Sequence, residues 1–337
     1  MTVRRKRADS ADAVPLLKKK LNFIQFLKVW NRFKGQRTPK HHLTIAKWLI
    51  ENREKPEKLL MAFRDGAKSW MICVWIAWCL YDDPTKTFAV ISAVDTLATK
   101  NAGFIKEIIQ SHPDTSHLVP LADSDMWRRN CFNIARPPGM LENSVQALSL
   151  GSSMTGQHCD HAFLDDTETP ENVETDITRA KLRKRLEDIN AICRGTITWI
   201  GTPHGGEQSL YVPMLQDPET YVPLVIPVYT EDENGERVYT WPEQFGHEKA
   251  ARAESKNLTR FRTQYLLEII SSNDAGLPID LAPTYSEDII QVKSVDYMGR
   301  TSAIKASITI PIEDKPCQFA SNCDPLFASN RDPSGTA

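Results

Sequence analysis

Met61-Ala62-Phe63-Arg64-Asp65-Gly66-Ala67-Lys68-Ser69 follows a short apolar run and precedes a strongly apolar segment from Trp70 to Leu80. That order reads as strand, loop and helix. In a loop of the pattern G-x-x-x-x-G-K-[ST], backbone N–H groups and a helix N-terminus hold phosphates, the Lys neutralises them and the hydroxyl binds Mg²⁺. Lys68 and Ser69 fit the last two roles, and Arg64, Asp65, Gly66 and Ala67 would form the cradle ahead of them. Ala62 and Ala67 stand where the pattern has glycines. The plain alternative is a Lys-Ser pair opening an ordinary helix, so the loop needs partners elsewhere in the chain.

One partner is His161-Ala162-Phe163-Leu164-Asp165-Asp166-Thr167-Glu168, which resembles the Walker B pattern of an apolar strand that ends in acids. Phosphoryl transfer divides the work between two carboxylates, one serving Mg²⁺ and one orienting the attacking water, because its catalysis is mostly positioning and charge neutralisation. Asp165 is assigned to the metal, through water, and Asp166 or Glu168 to the attacking water. An acidic loop after a strand is common by itself; its value lies in following the Lys68 loop. A third segment, Trp199-Ile200-Gly201-Thr202-Pro203, ends a later strand with a small residue and a hydroxyl. Thr202 is a candidate sensor of the γ-phosphate, with a simple turn as the alternative.

These groups need elements to hold them. From Leu16, the apolar Leu17, Leu21, Ile24, Leu27 and Trp30 recur at helical spacing among Lys18, Lys19, Lys20, Lys28 and Lys34. Such a basic amphipathic helix contacts nucleic acid or a partner, or packs its apolar side on the domain and leaves its lysines in water. Thr38-Pro39 opens a second helix, the strand Leu59 to Phe63 follows, and the helix from Trp70 has almost no polar face, as a buried central helix does. Phe88 to Ser92 and the spacing of Leu97, Ile105 and Ile108 predict another strand and helix. Short strands are expected at Asn130 to Ile134 and Val145 to Leu150, then Ala162 to Leu164, a helix through Leu182, Leu186 and Ile189, and the strand Thr196 to Ile200. Strands alternating with helices predict an α/β fold with a mostly parallel sheet, and ligands in such sheets sit at the carboxyl ends of the strands.

The totals set outer bounds. A chain of 337 residues, 41% hydrophobic and 25% charged, has room for a large core in one large domain or two smaller ones. A formal net charge of −2 speaks against a uniformly basic nucleic-acid binder without excluding a local basic groove. The seven cysteines are scattered and never form C-x-x-C, which points to reduced thiols rather than a disulfide framework or a zinc site. Met1 to Val14 lacks the apolar core of a signal peptide, and no stretch is apolar enough to span a bilayer. The expectation is a cytoplasmic protein without membrane contact.

Taken in order, the three motifs resemble the ATPase half of the large terminase subunit of tailed bacteriophages, in its podoviral form. Ala62-Phe63-Arg64 is similar to the start of that family's variant Walker A loop. Val145-Gln146-Ala147-Leu148-Ser149-Leu150 with Thr155-Gly156 resembles the segment that introduces Walker B, Asp165-Asp166-Thr167-Glu168 with Asn172 its double-Asp version, and Gly201-Thr202-Pro203 its coupling motif. The resemblance covers about Thr38 to Glu268. It implies an ASCE-type P-loop NTPase, a three-layer αβα sandwich, using ATP and Mg²⁺, with the metal held by Ser69 and Asp165. It implies that Arg64 touches the γ-phosphate or links subunits and that Thr202 couples hydrolysis to motion. The expected partners are double-stranded DNA, the small terminase subunit and the portal protein, with the active form a homo-oligomeric ring in the host cytoplasm. Two positions depart from the family: His42 stands near its usual adenine-contacting Gln, and His158 near an Arg. Arg128, Arg129 and Arg136 are substitutes for the arginine finger. The α-helical run Arg179, Lys181, Arg183, Lys184 and Arg185 is either a DNA contact or a solvated face.

Phe261, Gln264, Tyr265 and Leu266 resemble the end of the ATPase region. The expected layout is a basic tail and helix over 1–35, the ATPase domain over 36–270, a linker with one or two short strands over 271–315, and the start of an RNase H-like nuclease over 316–337. There Asp324 would be the first metal-binding carboxylate, and a two-metal nuclease needs several more acids. The chain is therefore expected to be a motor fragment or truncated product without cleavage activity of its own. The alternatives are a helicase-like P-loop ATPase and a truncated, non-catalytic protein that docks on DNA or a terminase partner.

Overall fold

The computed structural model describes residues 20–120, 127–154 and 156–270, and, as backbone strands, 290–297, 301–312 and 315–320. The chain divides into two units, Met1–Ser272 and Asn273–Ala337.

The first unit begins with α1 (Phe23–Phe33), α2 (Lys40–Glu51), β1 (Glu57–Ala62), α3 (Lys68–Asp82), β2 (Phe88–Ser92), α4 (Asp95–Ser111), β3 (Cys131–Phe132) and β4 (Val145–Ser149). It continues through β5 (Cys159–Asp165), α5 (Pro170–Val173), α6 (Asp176–Ile192), β6 (Cys193–Gly201), α7 (Tyr211–Gln216) and β7 (Tyr221–Ile226). A hairpin of β8 (Tyr229–Glu231) and β9 (Arg237–Tyr239) and three helices, α8 (Pro242–Phe245), α9 (His247–Lys256) and α10 (Leu258–Gln264), close it.

Seven strands form one sheet in the order β3-β4-β2-β5-β6-β1-β7, parallel except for β3 against β4. Its strands β1 and β2 are buried on both faces, which is why β1 reads as a continuous apolar run rather than an alternation. Leu60 and Ala62 pack with α1 to α4 on one side, and Leu59 and Met61 pack with α6 and α7 on the other. That is the three-layer α/β arrangement, and the register aligns the strand ends: Asp165 lies opposite Ser92 of β2 and Ile200 of β6.

Several boundaries differ from the sequence expectation for physical reasons. α1 starts at Phe23 because Asn22 and Gln25 form a capping box, each side chain accepting from the other's backbone N–H at 2.9 and 3.0 Å. Phe23, Phe26, Leu27 and Trp30 are buried, and Phe23 meets Trp75 edge-on at 4.8 Å, so the apolar face packs on the domain while Lys28 stays exposed. Lys18 and Lys19 lie outside the described residues. β7 was not expected, since Pro223 lies inside it; as an edge strand it tolerates a residue with no N–H. β5 and β6 each extend three residues upstream of their apolar stretches, through Cys159-Asp160-His161 and Cys193-Arg194-Gly195, the latter with Arg194 and Gly195 exposed.

The second unit contains an antiparallel three-stranded sheet of β10 (Ile290–Tyr297), β11 (Thr301–Ile312) and β12 (Lys315–Ala320). These strands are longer than the one or two short ones expected over 271–315. Asp324 and Thr155 lie outside the described residues.

Candidate nucleotide site

The loop between β1 and α3 turns on a backbone that only certain residues adopt comfortably. The Gly66 N–H donates to the Phe63 carbonyl at 2.9 Å, and a Cβ on Gly66 would sit 2.8 Å from that same oxygen. Gly66 is therefore required by close approach. Asp65 and Ala67 both have left-handed backbone, with φ of 67° and 62°. For Ala67, which caps α3 where the pattern has a glycine, this stores about 1–2 kcal/mol of strain. The loop keeps its shape without the second glycine because its surroundings hold it.

Lys68 and Ser69, the first two residues of α3, reach the acids at the end of β5. Ser69 Oγ donates to Asp165 Oδ1 at 2.8 Å, Asn101 Nδ2 of α4 donates to Asp165 Oδ2 at 2.7 Å, and Lys68 Nζ stands 3.4 Å from Asp166 Oδ1. Asp165 is 2% exposed, and burial, then the neighbouring Asp166 charge, push its carboxyl up to about 6 against Lys68, Ser69 and Asn101. Asp165 lies just behind the cavity, one residue before Asp166, which lines it. One carboxylate and one hydroxyl suit Mg²⁺, which keeps most of its waters and takes other ligands from substrate phosphates. Among the described residues no group of three or more His, Cys, Asp and Glu side chains forms a cation cage.

The cavity in front of these residues has a volume of about 520 Å³ and is lined by Arg64, Lys68, Ser69, Lys100, Asp166 and His204, among others. The Arg64 side chain is exposed at its edge, and Asp166 holds a left-handed backbone with φ of 48°. Arg128, Arg129 and Arg136 do not line it. Arg129 lies over Gly103 of α4, and Arg136 donates to the Glu142 carbonyl.

The two acids offered for water activation have different surroundings. Asp166 is 37% exposed at its side chain and faces the cavity. Glu168 is 1% exposed, and both of its oxygens are engaged: one accepts from the backbone N–H of His204 and Gly205, the other from Ser209 Oγ and the Leu210 N–H at 2.8 Å each. Glu168 thus clamps the segment that follows β6. Beneath it, the buried Tyr211 ring leaves no room on Gly201, where a Cβ would lie 2.0 Å from the Tyr211 hydroxyl. This explains the small residue at the start of Gly201-Thr202-Pro203.

Thr202 is buried and donates through Oγ1 to Gln264 Oε1 at 3.2 Å, while Gln264 Nε2 donates to the Pro203 carbonyl at 2.9 Å. The Gln264 backbone carbonyl accepts from the Arg64 N–H at 2.8 Å. The last residue of α10 therefore touches both the phosphate loop and the segment after β6. The motifs do not point to this role for Gln264, nor to Asn101, Lys100 or His204; only the adjacency of His204 to Gly201-Thr202-Pro203 was a usable signal.

His42 and its neighbour His41 form a separate feature behind the loop. Both are 4% exposed, and none of their four ring nitrogens has a hydrogen-bond partner among the described residues. His42 stacks on Trp70 at 5.2 Å, and His41 meets Trp241 at 4.9 Å. Burial lowers His41 to about 4 and His42 to about 3, the latter helped by repulsion from His41.

A mostly parallel sheet with helices on both faces, a phosphate-type loop leading into α3, and acids at the end of β5 define an α/β P-loop NTPase fold. No family model matches the chain. A curated protein, "Terminase, large subunit" of Enterobacteria phage T3, is 28% identical over 235 residues, which cover 68% of this chain and 39% of that protein. Among solved structures, the Thermus Phage P74-26 large terminase ATPase domain is similar with a TM-score of 0.44 and 14% identity, over 71% of this chain and 96% of that one. The chain is similar to a phage large terminase subunit over part of its length, and it spans well under half the length of that curated protein.

Proposed function

We propose that this chain binds and hydrolyses ATP with Mg²⁺ as the motor part of a phage DNA-packaging terminase, moving double-stranded DNA into a procapsid. The observation that carries this reading is the Ser69 to Asp165 hydrogen bond of 2.8 Å, with Lys68 beside Asp166, in front of one cavity. It joins the loop and the acids, far apart in sequence, into one site of the kind phosphoryl transfer needs.

In this reading Lys68 and the N–H groups of the first turn of α3 hold phosphates, with Arg64, Asp65, Gly66 and Ala67 as the cradle. Ser69 and Asp165 hold Mg²⁺, which when bound offsets the charge on the phosphate oxygens. Asp166 orients and deprotonates the attacking water. Glu168 acts instead as a brace, because its four hydrogen bonds leave no acceptor site for water without breaking the clamp on residues 204–210. Arg64 stabilises charge on the γ-phosphate or reaches a neighbouring subunit, and Thr202 passes the loss of that phosphate to α10 through Gln264. The partners that go with it are double-stranded DNA, the small terminase subunit and the portal protein, with the active form a homo-oligomeric ring in the host cytoplasm. The ATPase domain then spans 36–270, preceded by the basic tail and helix over 1–35. A linker over 271–315 leads to nuclease-like residues over 316–337, with Asp324 as a metal ligand.

Steady-state ATP hydrolysis, with and without double-stranded DNA, tests the proposal. Lys68→Ala and Asp165→Ala are each expected to lower turnover by about a hundredfold or more. Hydrolysis that survives both substitutions, in folded protein, would remove the site from consideration.

A further inference from the structure

α9 has the sequence H-E-K-A-A-R-A-E-S-K, in which Lys249, Arg252 and Lys256 stand at i, i+3 and i+7. That spacing puts all three on one face of the helix. Arg260 of α10 adds a fourth cation from the adjoining helix. Between them runs a groove of about 370 Å³, lined by these four residues together with Phe245 and Tyr265, among others.

No carboxylate lines the groove. Glu254 of α9 is held by Arg237 at 2.9 Å, and none of the four cations has an ion-pair partner among the described residues. Lys249 donates to the Gln244 carbonyl at 2.6 Å, which fixes its position without neutralising it. The aromatic base is rigid: Phe245 and Phe261 are buried, and Tyr265 stacks on them at 5.0 and 5.3 Å. Four like charges around one concavity repel one another in the free protein, and a polyanion laid along the groove relieves that repulsion while releasing its own counterions. On α6, Arg179 is bound by Asp176 and the Val173 carbonyl and Glu187 and Asp188 are exposed, whereas on α9 the exposed Glu248 lies outside the groove lining.

We infer that the α9–α10 groove binds the phosphate backbone of double-stranded DNA without reading its sequence. This rests on the motor reading above and assigns the surface that meets the substrate. Backbone contact of this kind is what a protein that travels along DNA requires, since base contacts would stall it. The groove is also well placed, because α10 ends in Gln264, which touches Thr202 and the phosphate loop.

The experiment is fluorescence anisotropy of two labelled duplexes of unrelated sequence with the full chain, across a salt series. Arg252→Gln with Lys256→Gln is expected to weaken both duplexes equally and to reduce the slope of log affinity against log salt by about two. Arg260→Gln, on the other helix, is expected to reduce the slope by about one. Arg183→Gln with Lys184→Gln on α6 serves as the control, with its slope unchanged. A melting curve establishes that each variant is folded. Duplex binding by the wild-type chain with the same slope in the groove variants, or a slope lost only in the α6 variant, would overturn the groove and leave the motor reading standing. Groove variants that lose affinity for polyglutamate but not for DNA would show an acidic protein partner and overturn it as well. A wild-type chain that binds no duplex would overturn both the groove and the DNA part of the motor reading.

Discussion

Asp166 and Glu168 stand two residues apart and line the same cavity, but Asp166 is 37% exposed at its side chain and Glu168 is buried under four hydrogen bonds. The sequence allows either to serve water, since both are acids after an apolar strand. What separates them is the count of donors around Glu168, which come from His204, Gly205, Ser209 and Leu210. No pattern in the 160s carries that information, because the donors come from another segment and three of the four are backbone N–H groups, of His204, Gly205 and Leu210. Asp166→Asn is expected to abolish turnover while the melting temperature stays near that of the wild type. Glu168→Gln is expected to lower the melting temperature, since an amide turned toward four donors leaves at least one buried group unsatisfied, at about 1–3 kcal/mol. Differential scanning fluorimetry beside the hydrolysis assay separates the two. A stable, inactive Glu168→Gln with an active Asp166→Asn would reverse the roles. At this scale Lys68, Ser69 and Asp165 could be named as candidates because phosphoryl-transfer chemistry demands fixed types at fixed places, and the fold brings Ser69 and Asp165 within 2.8 Å. Asn101 was not, because a hydrogen bond from the middle of a helix leaves no periodic trace.

At the scale of elements, the apolar runs of β1, β2 and α3 were readable, being buried on all sides. β7 was hidden by Pro223, and α10 was recognised as an end without its contacts. Gln264 shows what such a hidden element does: one side chain accepts from Thr202, donates to Pro203, and is 3% exposed. Gln264→Ala removes both bonds while leaving its backbone contact to Arg64. The expected result is a fall in kcat of about ten-fold, from the loss of about 1–2 kcal/mol of buried hydrogen bonding, with a smaller change in KM for ATP. Gln264→Glu keeps the acceptor for Thr202 and is expected to recover part of kcat. A change confined to KM would show that Gln264 serves nucleotide binding rather than the segment after β6.

Across the whole molecule, α2, α3 and the segment leading into α8 meet at His41, His42, Trp70 and Trp241. The unfolded chain takes up protons on its histidines near pH 6.5, whereas the folded chain resists until about 4 at His41 and about 3 at His42. Stability from these two is therefore fully present above the unfolded value and is lost progressively as pH falls below it toward the folded values. Melting temperature is expected to drop between about pH 7 and about pH 5, and to drop less steeply in His42→Phe. An equal slope in both proteins would dismiss the cluster as its source. The sequence marked His42 only as a departure from a family pattern. That both rings are buried together depends on Trp241, which arrives from the far end of the unit.

The backbone bond from Arg64 to Gln264 has a consequence for how the molecule comes into being. β1 and its loop leave the ribosome early, but the contact that seats the loop arrives only when α10 does. A nascent chain stopped before α10 would hold a nearly whole sheet but lack the Gln264 carbonyl that accepts from the Arg64 N–H. Long-range contacts of this kind slow folding, and the loop is seated only together with the helix that also walls the cationic groove.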